Sequence, residues 1–322
     1  PNEEGIRGCQ RMIDIAEQMG PDDLLLLGLT GGCSALMGYP VEGTTLEDLQ
    51  EATDVMLKAG MWVMDINDIR GHLSRMSRGR LGQHIHGAKI LCFEIWDAVG
   101  LDDITDYTEP VPIMGTPVGY DTVTFQDIGA ILRKYHIEDK LPPNVARYLL
   151  DYDPAQETPQ AMTNDVDYYI VNTLPDSCQA ALEAAEEMGI PAHVLTTYAE
   201  GESRDYGTFM ASLAHEVVKN ERPFRAPCFL FSAGETTTAI PDSSLIRGHG
   251  GPSQEMTAAF AVAAEGLKNV CLLSMDSEGT DGTTPVAGGL TDGTTGTAAA
   301  ERGIDLRKAL REHAAYEALE PL

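Results

Sequence analysis

The 322 residues carry 50 acidic and 22 basic side chains, a formal net charge of −28, which disfavours nucleic acid and anionic membranes as partners and favours solubility. A hydrophobic content of 43% is ample for two cores, and no apolar run reaches the ~20 residues that span a bilayer. The cysteines (Cys9, Cys33, Cys92, Cys178, Cys228, Cys271) show no CxxC spacing, so reduced thiols in a cytoplasmic protein are expected rather than disulfides.

In chain order, the apolar run Leu24–Leu27 enters a glycine turn, Gly31-Gly32-Cys33-Ser34, and then a helix start. Such a turn can seat an anion: its glycines let the backbone approach a ligand, and the unpaired N–H groups and the Ser34 hydroxyl reach phosphate or carboxylate oxygens. A tight turn with no ligand is the plain alternative. Thr44 and Glu47 have capping-box spacing, which predicts a helix over 44–60. A second helix is expected over 61–76, with Trp62, Ile66, Ile69, Leu73 and Met76 as its apolar stripe and Asp65, Asp68, His72 and Arg75 on another side. Residues 70–80 hold Arg70, Arg75, Arg78 and Arg80, forks suited either to anionic ligands or to the local acids Asp65 and Asp68. His84-Ile85-His86 could present two imidazoles on one strand face, and edge histidines without a metal are the plainer reading.

The polar, proline-bearing segment 151–164 marks a domain boundary, and the alternation of strands and helices then resumes. Strands are expected at Tyr168–Asn172, His193–Thr197, Cys228–Ser232 and Val270–Ser274, with helices near 176–188, 205–219, 254–267 and 304–318. This pattern implies an α/β fold of two domains, 1–155 and 160–322, each a largely parallel sheet with helices on both faces and a ligand cleft between them. Further glycine-rich loops at Gly234-Glu235-Thr236-Thr237, Gly248 to Gly251 and Gly279-Thr280-Asp281-Gly282 suit the carboxyl ends of such strands, where ligands bind. Glu235, Glu278, Asp281 and Asp292 could serve a hard cation such as Mg²⁺, or be solvated loop acids. Neither a Walker A loop nor a GxGxxG follows any strand. Anion-seating turns, acidic loops and an arginine cluster together fit phosphoryl transfer.

The run GGCSALMGYPVEGTTLEDLQEATDVMLKAG, continued through INDIRGHLSRMSRGRL, resembles the glycerate 2-kinase family, with its GGGSALL, TLEDLQ and RKHLS…GGRL signatures and C-terminal MOFRL domain. The resemblance extends through TFQDIGAILRKYHI, AEGESRDYG at 199–207, SAGETT at 232–237 and EGTDGTTPVAGGLTD at 278–292. It implies two α/β domains, the first Rossmann-like and the second MOFRL-like, and transfer of the γ-phosphoryl group of ATP, with Mg²⁺, to the 2-hydroxyl of D-glycerate. It assigns Gly31, Gly32, Cys33, Ser34, Gly234, Glu235 and Thr236 to the nucleotide phosphates, Arg70 and His72 to the substrate, Arg70 and Asp281 to catalysis, and Glu278 and Asp281 to the metal.

This sequence departs from the family pattern at several of those motifs. Where the family has GGRNQE it reads Gly250-Gly251-Pro252-Ser253-Gln254-Glu255, so the arginine expected to neutralise the transferring phosphate is a proline. Cys33 replaces the third glycine of GGGS, Gly71 the lysine of RKH, and Ser77-Arg78 the Lys-Gly of the next loop. The SDVxGD…SGPT region is reduced to WDAVGLDD and IMGTP. The family's N-terminal segment and closing motif are not found, and residue 1 is Pro, so a fragment, a homodimer or a second chain that supplies those parts is expected. A relative that binds nucleotide or acid without transfer is the second expectation. A nicotinamide-dependent hydroxypyruvate reductase is the third, disfavoured by the missing dinucleotide fingerprint.

Overall fold

The computed structural model describes residues 1–96, 99, 116–161, 164–240 and 243–322. The WDAVGLDD and IMGTP segments lie outside the described residues except for Trp96, Val99, Thr116 and Pro117. The chain forms two compact units, the first holding Pro1–Trp96 and the chain up to Val171, the second Asn172–Leu322.

In the first unit, α1 (Glu3–Ala16) opens on Asn2, whose side chain accepts the Gly5 N–H at 2.8 Å. β1 (Leu24–Leu29) follows, then the one-turn helix α2 (Cys33–Leu36), α3 (Leu46–Lys58) and α4 (Val63–His72). The capping box of α3 lies one residue beyond its expected place: Thr45 and Asp48 form it, because the Thr44 hydroxyl donates instead to the Val41 carbonyl and closes the preceding turn. α4 stops four residues short of its expected end. Beyond it Ser74 bridges to Pro40 in antiparallel fashion and the Arg75 N–H donates to the Tyr39 carbonyl, so the backbone is committed to another partner. Trp62 is exposed as the N-cap residue of α4 and takes no part in its buried stripe. The expected strand at His84–His86 is instead the end of a 3₁₀ turn, Leu81–His84, in which the His84 ring meets Glu17 at 3.1 Å.

β2 (Lys89–Ile95), absent from the expected elements, pairs in parallel with β1 from Leu24↔Lys89 to Leu29↔Glu94. α5 (Phe125–Tyr135) and α6 (Pro143–Leu150) precede β3 (Val166–Asn172), which completes a sheet ordered β1-β2-β3. That pairing moves the division between the units to Val171, later than the polar stretch suggests, because a strand belongs with the sheet it bonds to. Two cores result. Leu27, Leu29, Ile90, Cys92 and Tyr168 pack from one sheet face onto Cys9 and Ile13 of α1, while Met56, Ile69, Leu73, Phe125, Ile128, Leu132 and Leu149 join α3 to α6. Each such fully buried side chain contributes roughly 1.5–3 kcal/mol.

The second unit runs α7 (Leu174–Glu187), β4 (Ala192–Glu202), α8 (Ser203–Asn220), β5 (Phe229–Thr237), α9 (Pro252–Ala263), β6 (Cys271–Met275), β7 (Gly288–Asp292), α10 (Thr295–Glu301), α11 (Leu306–Arg311) and α12 (Ala315–Leu319). β4 and β5 are parallel, whereas β6 and β7 are antiparallel, so the described strands of this unit form two pairs rather than one largely parallel sheet. The single helix expected over 304–318 is broken in two around His313, whose φ of 49° no right-handed helix accommodates. α8 and α9 pack closely at Gly207, where a Cβ would strike the Met256 carbonyl. None of the six cysteines forms a disulfide.

Candidate functional site

The turn after β1 lies at the carboxyl end of the parallel β1–β2 pair, the end where open α/β sheets bind ligands. Gly32 adopts the left-handed conformation at φ 74°, which a glycine reaches without strain, and serves as N-cap of α2. Its carbonyl accepts Ala35 N–H at 3.0 Å and Leu36 N–H at 3.1 Å, while the amides of Gly31, Gly32 and Ser34 have no backbone acceptor among the described residues. The expected seat is therefore built from individual amides and the half-buried Ser34 hydroxyl. A helix of only four residues adds little dipole.

The segment leaving this turn is tied to the segment leaving α4. Val41 N–H donates to Leu73 O at 3.1 Å, Arg75 N–H to Tyr39 O at 2.8 Å, and the Ser74 hydroxyl to Met37 O at 2.9 Å. The last turn of α4, with Arg70 and His72, thus belongs to the same corner of the unit.

The four arginines of that corner are in different states. Arg78 is buried between Asp68 and Asp121, with Nη1 at 2.5 Å from Asp121. Arg80 donates to the carbonyls of His72 (2.8 Å), Ser74 (2.9 Å) and Gln156 (2.9 Å). Arg75 lies over the Tyr39 ring, 4.7 Å from its centroid. Asp65, a possible partner from sequence, is taken by Lys134 at 2.7 Å and the Tyr135 hydroxyl at 2.6 Å. Neither Arg75 nor Arg70 has a side-chain ion pair or hydrogen bond among the described residues, but Arg75 has the Tyr39 ring, whereas the half-buried Arg70 has neither charged nor aromatic partner there. Burial lowers its pKa and no neighbouring charge counteracts that shift. A guanidinium withdrawn from water without a counter-ion is costly, and an anion arriving from solution relieves the cost.

Two departures in the α4 motif explain each other. A Cβ at Gly71 would collide with the Nε and Cδ of Arg78, so the Arg78 side chain occupies the space that a side chain at 71 would need. Arg78 itself holds φ 57°, a strained value for a non-glycine residue. Its ion pairs with Asp68 and Asp121 hold it there.

His72 does not fit its expected role as a substrate contact. It is 0% exposed, packed edge-on against Phe125 at 5.1 Å, with Nδ1 3.0 Å from the Asp68 carbonyl. Its Nε2 has no hydrogen-bond partner among the described residues and faces Glu157 at 3.6 Å and Asp121 at 3.8 Å. Burial is the largest influence on its pKa, which is lowered. The residue braces the interior behind Arg70.

In the second unit the expected Gly234–Thr236 loop is a continuation of β5. Gly234, Glu235 and Thr236 sit in register with Ala199, Glu200 and Gly201 of β4, and a Cβ at Gly234 would strike the backbone of Ala199 at the register shift. The glycine answers a close approach of two strands, so this stretch is not an open cradle. Glu235 is exposed, and Thr236 accepts from the fully buried Ser203 hydroxyl at 3.1 Å.

Asp281 does not fit the metal or catalytic role. It is 1% exposed and closes the amino end of α9: Oδ1 accepts Ser253 N–H at 3.1 Å, and Oδ2 accepts Gln254 N–H at 2.8 Å and Gln254 Nε2 at 2.9 Å. Desolvation raises its pKa against the lowering effect of these donors. Pro252, at the first position of α9, suits a helix start. Glu278 is exposed in the loop between β6 and β7, and Asp292 is occupied by Thr294 and Thr295. Among the described residues no group of three metal-ligating side chains is present. Asp281 acts as a cap of α9 in this structure. A feature that inspection of the sequence missed is the buried cluster in which Glu255 binds Arg204 Nε at 2.5 Å and the His313 ring at 2.9 Å. Its members lie 58 and 51 residues from Glu255, so no local spacing announces it.

Comparison with known proteins agrees with the motifs. Residues 1–150 match the family described as a domain of unknown function (DUF4147), and residues 228–322 match the MOFRL family. A glycerate 2-kinase of Pyrococcus horikoshii is 35% identical over 322 residues, spanning 99% of this chain and 70% of that protein. A D-glycerate 2-kinase of Thermotoga maritima is 33% identical over 319 residues, 99% of this chain and 72% of that protein. The crystal structure of a glycerate kinase from Thermotoga maritima superposes with a TM-score of 0.76 at 33% identity, covering 99% of this chain and 73% of the other. Identity at that level over nearly the whole length, with a matching fold and a matching MOFRL region, makes the chain a member of the glycerate 2-kinase family.

Proposed function

We propose that the chain phosphorylates D-glycerate at its 2-hydroxyl with ATP as donor. The observation that carries this reading is Arg70, a half-buried guanidinium with no ion pair or hydrogen bond among the described residues, in the same corner as the amides of Gly31, Gly32 and Ser34, which have no backbone acceptor among those residues. Its fork matches a carboxylate bidentately, and the turn amides with the Ser34 hydroxyl match phosphoryl oxygens. In the transfer the substrate 2-hydroxyl oxygen bonds to the γ-phosphorus as the bond to the β–γ bridging oxygen breaks. ADP leaves with that electron pair, and the hydroxyl proton passes to solvent. The protein's share is orientation and neutralisation of negative charge, which dominate phosphoryl transfer.

The test is ADP release with glycerate and ATP, for the chain and for Arg70→Ala. The reading expects glycerate-dependent ADP, with KM for glycerate raised more than tenfold in the variant by loss of a charge-assisted contact worth about 1.5–3 kcal/mol. Pro252 favours a second reading, binding without transfer, because the motif arginine that neutralises phosphate is gone. Arginine contributions of that kind reach roughly 10³–10⁵ in rate. Ligand-dependent thermal stabilisation with no ADP release, and ADP release restored by Pro252→Arg, would decide for the second reading. The hydroxypyruvate reductase alternative lacks a dinucleotide turn, and NADH oxidation by hydroxypyruvate would support it.

A further inference from the structure

His72 has an unfilled place for a proton inside the first unit. Its Nδ1 lies 3.0 Å from the Asp68 carbonyl, which can only accept, so the single proton of the neutral ring sits on Nδ1. The lone pair of Nε2 then points among acceptors, Glu157 Oε1 at 3.6 Å and Asp121 Oδ2 at 3.8 Å. No donor among the described residues reaches that nitrogen. Both oxygens are held where they are: Glu157 Oε1 accepts the Thr158 N–H at 3.1 Å, and Asp121 Oδ2 accepts the Thr158 hydroxyl at 3.0 Å. Acceptors gathered in this way about a buried nitrogen suit an N–H there better than a lone pair.

The surrounding charge has the sign to bring that proton. Asp68 lies on the same helix, Asp121 just before α5, Asp127 on α5 and Glu157 on the 153–159 segment, while Arg78 and Arg80 oppose them from the turn after α4. Carboxylates therefore outnumber the guanidiniums that face the ring, and burial, the largest influence, is what favours its neutral form. Arg70, two residues back on α4, adds a positive charge to this neighbourhood. An anion seated on Arg70 cancels it.

We propose that the α4 corner binds its anion together with a proton: a carboxylate on Arg70 draws one proton onto His72 Nε2, where Glu157 and Asp121 accept the new N–H. His72 does not touch the anion and acts through charge. A buffer acid gives up the proton and Nε2 gains it, with Glu157 as the way in, since 22% of its side chain is exposed against 3% for Asp121. The effect is reciprocal, so affinity for a carboxylate rises as pH falls through the His72 transition. Opposite unit charges roughly 10 Å apart in a half-buried setting give an effect of about three- to tenfold. This linkage rests on Arg70 being the carboxylate contact proposed above.

The experiment is titration calorimetry of the full chain with D-glycerate, whose carboxyl stays ionised from about pH 8 to about pH 5.5, in paired buffers of different ionisation heat. Affinity is expected to rise about three- to tenfold over that range, with roughly 0.3–0.5 proton taken up per glycerate at the steepest point. His72→Gln should flatten the pH dependence and abolish the uptake. Glu157→Gln, which offers Nε2 a donor and keeps the ring neutral, should do the same, and it serves if the His72→Gln chain does not fold. Binding that Arg70→Ala weakens but that takes up no proton, or an uptake unchanged in both variants, overturns the linkage alone. No glycerate binding at any pH, or binding that Arg70→Ala leaves unchanged, overturns the reading of Arg70 and the linkage with it.

Discussion

Arg70 and Asp281 carry opposite charges and both sit withdrawn from water, yet one is left open and the other is closed on every side. Asp281 accepts three donors from the start of α9, and nearby Glu255 is held between Arg204 and His313. Arg70 has no partner among the described residues, and only burial acts on its pKa. The difference teaches where to look for binding: a buried charge that the fold satisfies maintains the fold, and a buried charge that the fold leaves unsatisfied is available to a ligand. In the second unit Asp281 and Glu255 are held by protein donors, whereas in the first the Arg70 guanidinium has no partner among the described residues.

The largest expected break in this contrast is Glu255→Ala, which leaves Arg204 and His313 without their shared carboxylate and should cost about 3–5 kcal/mol in denaturant unfolding. A loss below about 1 kcal/mol would mean that the cluster is not a closed structural unit. Asp281→Ala should follow at about 2–3 kcal/mol, since it strands two buried amides and the Gln254 side chain. Asp281→Asn should recover part of that, a recovery that a metal ligand would not show in metal-free buffer. Acidification probes the first unit. Burial holds the His72 pKa below its ordinary 6.5, so the unfolded state binds its proton first. The stabilisation from neutral His72 is then present above pH 6.5 and lost as pH falls below it. The fall in stability below pH 6.5 should diminish in His72→Gln. The smallest effect on stability belongs to Arg70→Ala, within about 0.5 kcal/mol, because no hydrogen bond or ion pair is lost and relief of its desolvation offsets the lost packing. A large destabilisation would show that Arg70 is structural after all and dissolve the contrast.

Local signals carried much of the architecture. Apolar runs located β1 and β3 to within two residues, and α3 needed only a threonine followed three positions later by an acid, although the neighbouring threonine took the role. The glycine turn after β1 was legible because a left-handed residue and a strand-to-helix reversal are both written within five positions. The similar stretch at Gly234 was not, because the approach of Ala199 from 35 positions away keeps it in a strand. His72 and Asp281 looked like site residues for the same reason: their burial is conferred by Phe125, Asp121 and the start of α9.

The sequence by itself determined the two-unit α/β pattern, the family, the glycine turn after β1 and the presence of four arginines within residues 70–80. Only the tertiary structure decided which arginine is left without a partner among the described residues, since Asp68, Asp121, Tyr39 and a set of carbonyls claim the other three. Composition places charges in a segment, but whether a charge is satisfied depends on groups that folding brings to it from far along the chain, and that balance of desolvation against partners is a property of three dimensions.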